Sequence, residues 1–165
     1  YLCDMEIKDY LIKQARLNNV CFEGYNIMRS SDINGLVDYY LSAPDWCLER
    51  DFPDYDTLLH NFADKVESKG IYINRDVSDI VASDRQVYVF HHCTGTLHVA
   101  MDYDKCIIPM IYIANGCDIK VVCEQERNEG MPINVPIYIF GENTVTPLEN
   151  SFATFKIYNN KILTK

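Results

Sequence analysis

Apolar positions recur with a helical period over the first 69 residues and with a period of two thereafter. Ile7, Leu11 and Ala15 repeat on one face of a segment that Asp4 can cap, which predicts a helix running to about Asn18. Asn18, Asn19 and Gly24 mark a loop. Ser31 or Asp32 can cap a second helix, in which Ile33, Leu36, Val37, Tyr40 and Leu41 fall at i, i+3, i+4, i+7 and i+8. Pro44 ends it and opens a short helical turn. Asp54 can cap another helix with Leu58, Leu59, Phe62 and Val66 on its face, Lys65 and Lys69 near its negative end, and Gly70 as the stop.

From Ile71 onward a β-branched residue, a tyrosine and another β-branched residue recur: IYI at 71, VYV at 87, IYI at 111 and again at 137. Asn115-Gly116, set between alternating apolar residues, predicts a tight hairpin that pairs Tyr112 with Ile119 and Met110 with Val121. The same turn at Thr94-Gly95 pairs Phe90 with Val99 and Tyr88 with Met101. GEN at 141–143 and Asn159-Asn160 offer comparable turns. The predicted fold is therefore α+β. A helical subdomain, 1–69, packs on a β-rich subdomain, 70–165, built as a mostly antiparallel β-hairpin sandwich or roll. The tyrosines face a core that the two parts share. The repeat spacing also admits a short β-solenoid with a helical cap.

Composition narrows the function classes. With 48% hydrophobic and 24% charged residues, the 165-residue chain matches globular averages. Its net charge of −9 is concentrated early, since residues 1–68 hold six Lys and Arg against thirteen Asp and Glu. No basic run exists, so no nucleic-acid partner is expected. The longest apolar run, Ile107 to Ala114, contains Pro109 and is far shorter than the roughly 20 residues of a membrane helix, so no membrane partner is expected either. Seven cysteines, an odd number without C-x-x-C, argue against a disulfide framework and for a reducing cytoplasm.

Candidate chemistry is sparse. If Thr94-Gly95 is a turn, His91 and His98 stand opposite each other with Cα atoms roughly 4.5–5.5 Å apart, and Cys93 shares their face. Two imidazoles and a thiolate suit zinc or another transition metal with one position open. The segment Asp45 to Asp56, DWCLERDFPDYD, gathers Trp46, Phe52 and Tyr55 beside Asp51 and Asp54, a composition that resembles an interface hot spot. No dinucleotide, P-loop, nucleophile-elbow or H-E-x-x-H motif occurs. The leading expectation is a non-enzymatic structural or protein-interaction protein, self-associating, with no cofactor. The alternatives are a metal-dependent enzyme using His91, His98 and Cys93, and a small-ligand or carbohydrate-binding module.

Overall fold

A computed structural model of the chain describes residues 4–123 and 132–163. The chain divides into two compact units, Tyr1–Lys69 with Ile162–Lys165, and Gly70–Lys161.

The first unit is helical. Helix α1 (Asp4–Leu17) buries Ile7, Leu11 and Ala15, as their spacing requires. The Asp4 cap lies outside the described side chains. Helix α2 (Phe22–Ser30) occupies the stretch read from sequence as a loop. Its Gly24 is buried, and a Cβ there would collide with the Tyr39 hydroxyl, so this glycine serves close packing and not a turn. Helix α3 (Ile33–Ser42) is capped by Asp32, whose Oδ1 accepts the Gly35 N–H at 2.8 Å. Pro44 opens α4 (Pro44–Glu49), and Asp54 caps α5 (Tyr55–Asn61) by accepting the Thr57 N–H at 2.8 Å. The helix predicted to continue through Val66 changes after Phe62. Ala63 takes a φ of +22°, which an α-helix cannot contain, and Ala63–Lys69 tightens into a 3₁₀ segment. At the other end of the chain, the Leu163 N–H reaches the Glu49 carbonyl at 2.6 Å.

The second unit has nine strands among the described residues: β1 (Ile71–Ile73), β2 (Val81–Ala82), β3 (Val87–His91), β4 (Thr94–Val99), β5 (Met110–Ile113), β6 (Asp118–Cys123), β7 (Ile133–Phe140), β8 (Thr144–Leu148) and β9 (Ala153–Asn160). Odd strands form one sheet in the order β1-β3-β5-β7-β9, and even strands a second in the order β2-β4-β6-β8. Every strand pair is parallel.

This overturns the antiparallel hairpin sandwich. Strands adjacent in sequence never pair, because the chain crosses to the other sheet at each turn and returns beside the strand before last. The repeat is a coil, not a hairpin, and helices combined with all-parallel sheets give an α/β content. Between the sheets, Tyr88, Phe90, Ile111, Ile113 and Ile137 meet Leu97, Val99, Ile119 and Val121 in one buried cluster.

The turn signals act as corners of these coils. Gly116 has the positive φ that a type I′ turn needs (+81°), but Asn115 does not, and the chain passes on into the other sheet. The other corners between the same sheets place Asn74, His92 and Gly141 at φ of 54°, 51° and 76°. Thr94-Gly95 lies within β4, and Asn159-Asn160 within β9, so neither is a turn.

Register also splits the repeated tyrosines. Tyr72 pairs with Phe90 and Tyr88 with Ile111, and all four side chains join the inter-sheet core. Val89, however, pairs with Tyr112, which pairs with Tyr138 and through it with Tyr158. The β3–β5 offset thus moves the motif by one residue and turns its tyrosine to the outer face.

Candidate functional site

The proposed metal ligands do not converge. His91 ends β3 and His98 lies in β4, strands of different sheets. Each is flanked by core residues, Phe90 in one case, Leu97 and Val99 in the other, so both rings point away from the core. They stand on opposite outer faces of two sheets stacked about 10 Å apart. Cys93 points inward, into the core itself. The hairpin that would have paired the histidines is absent because β4 pairs with β2 and β6. Among the described residues, no group of three or more His, Cys, Asp or Glu is arranged to hold a metal ion.

The corner after β3 organises these residues differently. The Cys93 N–H donates to Cys117 Sγ (3.3 Å), and the Cys117 N–H donates to Asn143 Oδ1 (2.9 Å). The side chain of each coil thereby satisfies a buried backbone donor of the coil before it. Cys93 Sγ lies 3.4 Å from both the Tyr72 and His91 carbonyls. The Cys117 thiol is pushed up by its hydrogen bond with Cys93 and by burial. Cys47, also buried, has its thiol pushed up by the same loss of solvent. Inaccessible, protonated thiols of this kind are packing groups and poor nucleophiles. His91 is 5% exposed, and burial, with the His92 charge adding, pushes its pKa down to about 3.

The aromatic segment folds largely onto its own unit. Phe52 is buried and meets Trp46 edge-on at 5.5 Å between centroids. The Arg50 guanidinium lies over the Trp46 ring at 5.1 Å. Asp54 spends one carboxylate oxygen on the α5 cap and accepts the Tyr10 hydroxyl with the other (3.3 Å). Tyr55 and Trp46 are half-buried, and Asp51 is exposed at a φ of +47°. The segment thus covers Phe52 and leaves Trp46 and Tyr55 partly accessible.

A surface the sequence did not single out lies at the last coil. Tyr112, Tyr138 and Tyr158 stack on the outer face of the odd-strand sheet, with centroids 4.7 and 4.9 Å apart and planes within 14°. Tyr112 is buried, Tyr138 half-buried and Tyr158 39% exposed. On the inner face, Ile157 continues the core row of Ile111 and Ile137 and is 40% exposed. β9 pairs only with β7, so its far edge carries backbone donors and acceptors without a strand partner among the described residues. Its eight residues include one charge, Lys156, and no proline or glycine. The corresponding edge strand of the other sheet, β8, contains Pro147, which removes a donor. The signal in the sequence was that low charge over eight residues, legible only once β9 is known to be an edge.

Among the described residues, no helix is long and apolar enough to cross a membrane. No family model, curated protein or solved structure matches this chain.

Proposed function

We propose that the protein is an interaction module that self-associates through the outer edge of β9. The observation that carries this reading is the exposed edge itself: a strand of eight residues with a single charge, at the end of a tyrosine stack and of a core row. Native edges are normally blunted by several charges, proline or a bulge, and β9 has only Lys156. A second copy is the occupant because a two-fold axis normal to the sheet pairs β9 with itself antiparallel, and each edge then presents the same donors and acceptors to the other. Such an axis keeps inner residues opposite inner ones. Pairing Ile157 with its counterpart places Lys156 beside Tyr158 and avoids the Lys156–Lys156 contact. The exposed core row is then closed by the same residue from the other copy.

Light scattering across micromolar concentrations tests this. The expected mass is twice the chain's 19.1 kDa. Ile157→Lys sets two like charges at the axis, so this variant should be monomeric with an unchanged far-UV spectrum. A wild-type mass of 19.1 kDa throughout, or an Ile157→Lys protein that remains dimeric, removes the proposal.

A further inference from the structure

The helical unit contains a cavity of about 290 Å³ lined by α1, α3, α5 and the 3₁₀ segment. That is room for roughly ten waters, near the lower limit of small-molecule pockets. Its apolar wall comes from Ile7, Val37, Phe62 and Val66, all buried, with half-buried Ile33. Polar groups are confined to the remaining lining, chiefly Asn34, Asn61, Lys65 and Lys69.

The charge of the lining is the second observation. Residues 1–69 carry thirteen carboxylates against seven basic groups, yet both charged residues on the cavity are lysines. Lys69 is held by Asp38 at 2.7 Å, and Asp38 is itself outside the lining. Lys65 is exposed. An acidic unit thus lines this cavity with apolar side chains and, as its only charged lining groups among the described residues, two lysines. Neutral apolar molecules would gain nothing from the lysines, and inorganic anions nothing from the apolar wall.

We infer that this cavity binds a small amphipathic carboxylate, with a compact branched or aromatic body against Val37, Phe62 and Val66 and its carboxylate toward Lys65 and Lys69. The inference is independent of the β9 edge, which belongs to the other unit.

Methyl NMR of the full chain with phenylacetate as probe tests it. The expected result is a saturable shift of the Ile7, Ile33, Val37 and Val66 methyls, with Kd at or below about 1 mM. Phenylacetamide, equal in shape and uncharged, should bind at least tenfold more weakly, and inorganic phosphate should leave these methyls unmoved. Lys65→Gln, a change at an exposed position, should weaken phenylacetate about tenfold while the spectrum stays dispersed. No saturable shift by about 10 mM overturns the inference. So does equal binding of the amide, or a Lys65→Gln protein that binds phenylacetate as wild type does.

Discussion

Lowering the pH from 7 to 5 should destabilise the stacked-sheet unit through His91 alone by about 2 kcal/mol. The folded pKa of this group is pushed down to about 3, chiefly by burial, whereas the unfolded chain titrates near 6.5. Below about 6.5 the unfolded state takes up a proton that the folded state refuses until pH approaches 3. The stabilising contribution is therefore intact above 6.5 and is lost as pH falls, at about 1.4 kcal/mol per unit through that window. Half a unit of the 7-to-5 interval lies above the transition, which leaves about 2 kcal/mol. Urea unfolding followed by tyrosine near-UV dichroism should show this as a midpoint lower by about 1 M at pH 5, for a slope near 2 kcal/mol/M. His91→Leu cannot take up the proton. Its own midpoint matters less than its pH dependence, which should be shallower than wild type by the same 2 kcal/mol or so. Parallel pH dependences for the two proteins, or a His91 ring proton in the folded wild type titrating near 6.5, would refute the argument.

Two further perturbations probe the corners of the coils. Asn143→Ala removes the acceptor of the Cys117 N–H and leaves a buried donor unsatisfied, so thermal or urea unfolding should report a loss of about 1–3 kcal/mol; an unchanged midpoint would mean that water replaces the amide. Gly116→Ala places a Cβ 2.5 Å from the His92 ring at a φ of +81°, and should cost about 1–3 kcal/mol by the same assay, more than a glycine-to-alanine change in a relaxed turn.

Much of the helical unit was legible in the sequence because its signals are local. Asp32, Pro44 and Asp54 begin helices where their chemistry places them, and Ile7, Leu11 and Ala15 are buried as their spacing demands. Gly24 misled because a glycine required for packing against Tyr39 looks the same as a glycine required for a turn. The strands were legible too, since alternation marks an extended segment whatever its partner. Their pairing was not. Gly116 does take a positive φ, but a corner leading to another sheet needs that conformation as much as a hairpin does. Buried residues on both faces of β3 and β5 were the better guide, because parallel strands are covered on both sides. The histidine pair fell with the hairpin, since it depended on register and on no feature of the residues themselves. The β9 edge and the cavity could not be read in advance, because both arise from which elements end up adjacent.

The coil arrangement sets the order in which this unit comes apart. Each strand pairs only with the strands one coil before and after, and the paired residues are separated by modest stretches of chain, as with Ile71 and Val89 or Ile137 and Ile157. Stability of this kind is a sum over neighbouring coils, so cooperativity weakens along the axis. In the monomeric Ile157→Lys protein, amide protons of β9 should exchange with solvent first, those of β7 next and those of β5 later, a graded protection pattern that a sandwich closed by distant pairings does not produce. Growth in the opposite sense needs only the next short loop to close on a finished edge, so assembly can zip from one coil to the next without a long-range search.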